Sequence, residues 1–244
     1  MNNIQQKIRI GEAAQILGVN IQTLRNWEKS GKFQAERSSG GQRYYVLHDI
    51  EQFKIDIKSL GWAWAVSAQA PTLAPEHYCE RQDRFTSRLE KMSALLLQAF
   101  GRDKENLVSQ VTLVAGEIGD NSFAHNVGNW PDIPGVFYAY DIKKKIIVLA
   151  DRGRGVRATL QNIRPNISSD IEALRVAFTE VISGRSPEKR GNGLKVVRRV
   201  AETGEIGLLL RSGIGKVDIL KSKGPMKITM ADQNIRGAYA VITF

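Results

Sequence analysis

The chain of 244 residues contains a single cysteine, Cys79, so an internal disulfide bond or a cysteine-built zinc site is excluded. Long apolar runs are also missing, because runs such as IIVLA and LLL are far too short to span a bilayer. The opening residues, MNNIQQKIRIG, lack the apolar stretch of a signal peptide. These absences predict a cytoplasmic protein without a membrane partner.

Composition and charge suggest an ordinary globular protein. Hydrophobic residues make up 42% of the chain and charged residues 25%, which argues against extended disorder. The net charge of +10 favours a polyanionic partner, of which nucleic acid is the commonest. However, residues 1–60 carry nine Lys/Arg and six Asp/Glu, a net +3, which leaves +7 for residues 61–244. Charge alone therefore does not identify a nucleic-acid-binding module.

Two short helices are predicted near the N terminus. Apolar residues between Ile10 and Leu17 follow the three-and-four spacing of one buried helix face, and Gly18 ends this helix. Asn20 is a good N-cap for a second helix, IQTLRNWEKSG, whose buried positions would be Ile21, Leu24 and Trp27. Two helices joined by a glycine turn are typical of a helix-turn-helix.

The next segment, ERSSGGQRYYV, predicts a β-ribbon, because its Ser-Ser-Gly-Gly cluster supplies turn geometry. Arginines and tyrosines flank this turn and can lie along phosphates. A third helix, HDIEQFKIDIKSL, would support the pair through Ile50, Phe53 and Ile57.

The order RIGEAAQILGVNIQTLRNWEKSGK followed by GGQRYY resembles MerR-type winged helices, especially the variant in excisionases and transposon-encoded recombinases. The resemblance implies that the second helix enters the major groove of double-stranded DNA while the wing touches the backbone. Groove-facing roles would fall to Gln22, Thr23, Arg25 and Asn26, and phosphate contacts to Arg37, Arg43 and Tyr44. The effector parts of classical MerR regulators and the recombinases' serine domain are not recognisable.

Residues 61–75, GWAWAVSAQAPTLAP, are rich in Ala and Pro and predict an interdomain linker, although Trp62 and Trp64 should pack on one of the domains. Between Glu76 and Phe100 the apolar residues follow four-and-three steps over about three heptads. This stripe predicts either a dimer helix or the first helix of an α/β sandwich that packs on its own sheet.

Three separated elements downstream could build a nucleotide site. In LVSQVTLVAGEIGDNSFAHN, Glu117 and Asn121 lie four residues apart and share a helix face with His125. A carboxylate and a carboxamide one turn apart can orient a water molecule and hold a hydrated Mg²⁺. The same polar stripe could equally be a solvent-facing surface.

The second element follows the strands GVFYAYDI and KKIIVLA, where Asp151-Arg-Gly153-Arg-Gly155 leaves a buried strand directly into a glycine turn. An aspartate at this position can accept a hydrogen bond from an adenine amino group. The third, GRSPEKRGNGLKVVRRVAE, is a basic glycine-containing loop that runs into a helix and can approach phosphates. The Walker A spacing is absent.

In this order, the three elements resemble the N, first-glycine and second-glycine boxes of the GHKL ATPases, over roughly residues 80–244. The implied fold is a two-layer α/β sandwich, the Bergerat fold, with a mixed sheet. Glu117 would be the general base, Asn121 the Mg²⁺ ligand and Asp151 the adenine reader. The remaining ATP-binding residues would be Gly153, Gly155, Arg185, Lys189, Gly191, Asn192, Gly193 and Leu194.

The expected protein is thus of the α+β class, with a winged helix-turn-helix over residues 1–60, a linker over 61–75 and a GHKL-type domain over 76–244. Two functions remain open. One is a transcriptional regulator, expected as a homodimer, whose DNA affinity depends on ATP and Mg²⁺. The other is a serine/threonine kinase of the anti-sigma type that acts on a STAS-like partner. A histidine kinase is disfavoured, because none of the three histidines lies in a phosphoacceptor motif.

Overall fold

A computed structural model describes residues 6–31, 33–54, 56–180, 193–221 and 224–244. The chain divides into two compact units, Met1–Asp56 and Ile57–Phe244. No helix within these described ranges is both long and apolar enough to cross a membrane.

The first unit combines three helices with a small antiparallel sheet of strand order β1-β3-β2. Gly18 ends the first helix in a left-handed conformation, and the Asn20 side chain caps the second by accepting from the Thr23 amide. The predicted helix-turn-helix and wing are both present. The elements are β1 Lys7–Arg9, α1 Ile10–Leu17, α2 Ile21–Lys29, β2 Glu36–Arg37, β3 Arg43–Val46 and α3 Leu47–Lys54.

The core of this unit is built from all three helices and the sheet. Leu24 and Ile50 are fully buried, and the Phe33 ring stacks on Tyr45. Two sequence expectations fail here. Ile21 is 40% exposed, and the third helix ends at Lys54, so Ile57 belongs to the second unit.

The second unit opens with a helix over the first part of the predicted linker. Its elements are α4 Ile57–Val66, β4 Tyr78–Cys79, α5 Gln82–Phe100, α6 Glu105–Asn126, β5 Val136–Asp141, β6 Ile146–Asp151, α7 Gly155–Gln161, α8 Asp170–Thr179, α9 Gly193–Thr203, β7 Gly207–Ile219 and β8 Lys227–Thr243. Short 3-10 turns lie at Pro75–His77 and Arg102–Lys104.

These strands form one sheet of order β4-β5-β6-β8-β7, in which every described pair is antiparallel. The predicted mixed sheet is therefore wrong. The helical connection from β6 to β7 does make these two strands parallel in direction, but β8 lies between them and pairs antiparallel with both. Strands β6 and β7 therefore run in the same direction but are not hydrogen-bonded to each other.

Helices cover both faces of the sheet, which corrects the predicted two-layer arrangement. Side chains from α5, α6 and α9 share one core with Tyr138 and Leu149. The intervening strand residues point to the opposite face, where Gly61 of α4 lies against Phe137 and Val148. Trp64 is buried there, and Trp62 packs edge-on against Tyr239, as expected for both tryptophans.

The apolar stripe after Glu76 has a clear role within the unit. Phe85, Met92 and Leu96 of α5 are at most 1% exposed and lie in the core between helices and sheet. The stripe therefore belongs to a sandwich helix that packs on its own sheet.

Candidate DNA-binding surface and nucleotide site

The predicted groove-facing residues occupy α2 but differ in what they offer to a ligand. Gln22, Arg25 and Asn26 are exposed, and the Gln22 amide donates to Asn26 Oδ1 at 3.1 Å. The Thr23 hydroxyl donates to Asn20 Oδ1 at 2.9 Å, within the cap of the helix. Gln22, Arg25 and Asn26 are thus open to solvent, whereas Thr23 mainly stabilises the start of α2.

The two wing arginines meet a single carboxylate on α2. Arg37 Nη2 lies 2.8 Å from Glu28 Oε1, and Arg43 Nε lies 2.6 Å from Glu28 Oε2. The hydrogen bond from Arg43 is the main reason that the pKa of Glu28 is lowered, and Arg37 lowers it further. This clamp fixes the wing against the second helix.

An open cleft of about 270 Å³ lies beside this clamp. It is bordered by the start of α1, by α2 and by the wing turn, and its lining residues are Arg9, Ile10, Arg25, Gly41, Gln42 and Arg43. Tyr44 stands next to this turn, and its hydroxyl donates to Gln42 Oε1 at 3.1 Å. The first unit thus places arginines from three elements around one space.

In the second unit, the polar face of α6 meets the start of α9. Glu117 and Asn121 are half-buried on one face of α6. A Cβ atom at Gly193 would overlap the Glu117 carboxylate and would lie 3.6 Å from Asn121 Nδ2. The structure therefore brings Glu117, Asn121 and Gly193 together. Partial burial, helped by the nearby Asp120 carboxylate, raises the pKa of Glu117.

Asp151, at the end of β6, is 4% exposed, and its carboxylate accepts hydrogen bonds from three groups of the protein. Its Oδ2 accepts from the Ser122 hydroxyl at 2.7 Å, and its Oδ1 accepts from the Gly153 amide at 2.8 Å. Burial raises the pKa of Asp151, while these hydrogen bonds and one from the Ala238 backbone oppose that rise. A carboxylate has about four acceptor positions, so one further donor can be accommodated.

Glycines close the space around this carboxylate. A Cβ at Gly153 would overlap the Asn126 amide, and a Cβ at Gly237 would overlap Asp151 itself. Gly237 also has a φ of +68°, which a side chain would strain. The Asn126 oxygen accepts from the Arg154 amide at 2.9 Å, so α6 holds the turn after β6 directly.

Of the remaining predicted nucleotide residues, some lie within the described part of the chain and others lie outside it. Gly155 lies at the start of α7 near Ser212, and Leu194 packs beside the core of the unit. Arg185, Lys189, Gly191 and Asn192 lie outside the described residues. Within the described ranges, no group of three His, Cys, Asp or Glu side chains could hold a metal ion.

Several residues that shape the two sites have no counterpart among the predicted ones. On the first unit these are Arg9 and Glu28, and on the second they are Ser122, Asn126 and Gly237. Ser122 and Asn126 lie four apart among the otherwise apolar buried residues of α6, and Gly237 interrupts a strand pattern. Such departures from periodicity signal a special contact, although they do not name the partner.

A family model described as "MerR family regulatory protein" matches residues 9–45. The match spans α1, α2, β2, most of β3 and every lining residue of the arginine-lined cleft, and it ends before the second unit. In a comparison with curated proteins, no match was found. Residues 9–45 are thus a helix-turn-helix domain of the MerR family.

Proposed function

We propose that the protein is a DNA-binding transcriptional regulator whose affinity for DNA is controlled by ATP in the second unit. The main support for DNA binding is the MerR-type helix-turn-helix at residues 9–45. It presents exposed polar side chains on α2 and arginines along the adjoining cleft. Arginines from separate elements suit the closely spaced phosphates of a duplex.

Recognition is divided between the second helix and the wing. Gln22 and Asn26 are exposed on α2 and can donate to or accept from base edges. Arg37, Arg43 and Tyr44 lie along the wing and serve the backbone. Since MerR-type domains read paired half-sites, the proposed regulator acts as a homodimer on a roughly palindromic site in double-stranded DNA.

ATP binding is supported by two contacts that helix α6 makes within the second unit. Glu117 and Asn121 meet Gly193, and Ser122 of the same helix binds Asp151. A carboxamide and a carboxylate are oxygen donors suited to Mg²⁺, which commonly uses one or two protein ligands together with substrate phosphates.

With nucleotide bound, Asn121 would hold Mg²⁺ and Asp151 would accept from the adenine amino group. The backbone of Gly193, at the start of α9, would approach the phosphates of ATP. The protein would exchange between a conformation that binds DNA and one that does not. A nucleotide that binds one of these conformations more tightly than the other shifts the affinity for DNA by that difference.

Titration of a fluorescent ATP analogue tests the pocket. We expect the wild-type protein to bind and Asp151→Ala to lose at least about tenfold in affinity, the loss of roughly one charge-assisted hydrogen bond. Asp103→Ala changes an exposed aspartate of the same unit and should bind as the wild type does. Equal affinities of all three proteins for the ATP analogue would refute the proposed nucleotide site.

Control of DNA binding is tested separately. A duplex selected by the wild-type protein from a randomised library is titrated in the presence of ADP, ATP or a nonhydrolysable ATP analogue. The proposal expects the three affinities to differ several-fold. Identical affinities would leave a DNA-binding protein without nucleotide control.

A protein kinase of the anti-sigma type is the second candidate, and the raised pKa of Glu117 beside Gly193 favours it. A carboxylate with a raised pKa is better matched to accept a proton from a serine or threonine hydroxyl near neutral pH. Incubation with labelled ATP and a STAS-like protein would show transfer to a serine or threonine of that protein. Glu117→Ala should abolish the transfer.

A further inference from the structure

Helix α4 connects the two units along the chain. Only residues 55 and 56 separate its first residue, Ile57, from the end of α3 in the first unit. Within the second unit, α4 packs on the face of the sheet opposite to the one that packs against α5, α6 and α9. A change in how α4 lies on the sheet therefore reaches the first unit through a connection of two residues.

Two residues beside the candidate nucleotide site contact α4. Asp151 of β6 pairs in register with Ala238 of β8, whose backbone also bonds to the Asp151 carboxylate. The residues that follow them, Arg152 and Tyr239, both contact α4. Successive side chains of a strand point to opposite faces, so Asp151 faces α6 while its neighbour faces α4. The same two strand positions thus serve the candidate site on one face and α4 on the other.

These contacts hold α4 at both of its ends. The Tyr239 hydroxyl donates to the carbonyl oxygen of Lys58, in the first turn of the helix, at 3.2 Å. The Arg152 guanidinium donates to the carbonyl oxygen of Trp64 in the last turn. Between these two points, the Trp62 ring lies edge-on to Tyr239 at a centroid distance of 5.2 Å. The position of α4 on the sheet is therefore set by residues that adjoin the candidate site.

We propose that α4 transmits the state of the nucleotide site to the first unit, with Arg152 and Tyr239 as positioning residues. This inference rests on the control by ATP proposed above and names its route. Asp151 and Arg152 are consecutive, so the backbone that places the carboxylate toward a ligand also places the guanidinium toward α4.

A movement of α4 away from the sheet disturbs the candidate site. Arg152 must then follow the carbonyl groups of α4 or turn toward water, and either movement shifts the neighbouring Asp151. A nucleotide that binds best to the undisturbed site favours the arrangement in which α4 lies on the sheet. The size of this effect equals the difference between its affinities for the two arrangements.

Hydrogen–deuterium exchange of the full-length protein tests the first step, from the nucleotide site to α4. Peptides that cover residues 57–66 are followed with and without a saturating nonhydrolysable ATP analogue and Mg²⁺. We expect the analogue to slow exchange of this helix several-fold in the wild type. The effect should be smaller in Tyr239→Phe, which loses only the hydroxyl that contacts Lys58. Tyr140→Phe is the matched control, because Tyr140 packs against the main core on the other face of the sheet.

Fluorescence anisotropy tests the second step, from α4 to DNA. Affinity for a duplex selected by the wild type is measured with the same ATP analogue and with ADP, and the ratio of the two affinities measures the coupling. We expect this ratio to fall at least about twofold in Tyr239→Phe and in Arg152→Lys, because one hydrogen bond contributes a factor of about two to ten. Both variants should still bind the analogue and the duplex, whereas a general loss of structure would weaken both.

Thermal unfolding shows whether each variant is folded, and Tyr239→Phe decides the outcome if Arg152→Lys is not. Two results would overturn the inference. One is an analogue that binds the wild type but leaves exchange of α4 unchanged, and the other is a wild-type affinity ratio in Tyr239→Phe. Failure of the wild type to bind the analogue would instead refute the nucleotide site itself. Equal DNA affinities of the wild type with both nucleotides would refute nucleotide control.

Discussion

The Glu28 carboxylate joins the wing to the second helix, and Glu28→Gln tests how much this contact contributes to stability. Arg37 and Arg43 are directly opposite each other on strands β2 and β3. Like charges in that position repel, and Glu28 lies between them as the compensating charge. Glutamine keeps the size of the side chain but removes the charge, so the two guanidinium groups are left facing each other.

The magnitude follows from the exposure of the groups. Glu28 is 13% exposed and Arg43 25%, so their 2.6 Å contact should contribute more than a surface pair does. Arg37 is 50% exposed and is screened by solvent, so its contact is discounted to well below 1 kcal/mol. Together the two bonds stabilise the first unit by about 1–2 kcal/mol.

Hydrogen–deuterium exchange of peptides from residues 6–54 measures the opening free energy of this unit apart from the second one. Because the pKa of Glu28 is lowered in the folded state, its contribution is complete above the ordinary carboxyl pKa of 4.5. It is lost as pH falls through the lower folded value. The difference between wild type and Glu28→Gln should therefore shrink as the solution is acidified below that range.

Glu51→Gln changes an exposed glutamate on α3 and is the control. It should leave the opening free energy of the first unit nearly unchanged at every pH. A Glu28→Gln variant as stable as the wild type near pH 7, or a difference that persists unchanged in acid, would refute the proposed role of the clamp.

Two further predictions concern the second unit. Asp151→Asn should raise the unfolding temperature while it weakens ATP binding, because burial disfavours the charged carboxylate and Ser122 can rotate to accept from the new amide. The pKa of Asp151 is raised in the folded state, so the wild type loses stability as pH rises through that value. The difference in unfolding temperature between Asp151→Asn and the wild type should therefore grow with pH. A difference that vanishes at high pH would contradict this prediction. Gly61→Ala should lower stability in urea unfolding by about 1–3 kcal/mol, because its Cβ would lie 2.7 Å from Val148 Cγ1 and 2.9 Å from Phe137 Cε1. Gly11→Ala, where the Cβ meets open space, should cause no such loss.

Local signals predicted the first unit well. The cap residue Asn20 and the left-handed Gly18 mark the helix boundaries because capping depends only on neighbouring backbone groups. The third helix was predicted too long, since the spacing of Ile50, Phe53 and Ile57 continues in phase across the end of α3. Periodicity cannot show that Ile57 packs in a different core.

Local sequence signals likewise predicted only part of the candidate nucleotide site. Helical spacing alone places Glu117 and Asn121 on one face. The contact between Ser122 and Asp151 joins residues 29 positions apart, and it depends on how α6 lies over the sheet. The lack of hydrogen bonding between β6 and β7 among the described residues is also non-local, because it follows from the insertion of the last strand between them.

The buried guanidinium of Arg152, which is 1% exposed, has a consequence for local opening of the second unit. It donates to the carbonyl oxygens of Trp64 and Ala68 and is paired with Asp132 at 2.5 Å. Helix α4 cannot detach from the sheet without leaving this cation inside the protein short of partners, at a large free-energy cost. The end of α4 and the turn after β6 should therefore open together, as one cooperative segment.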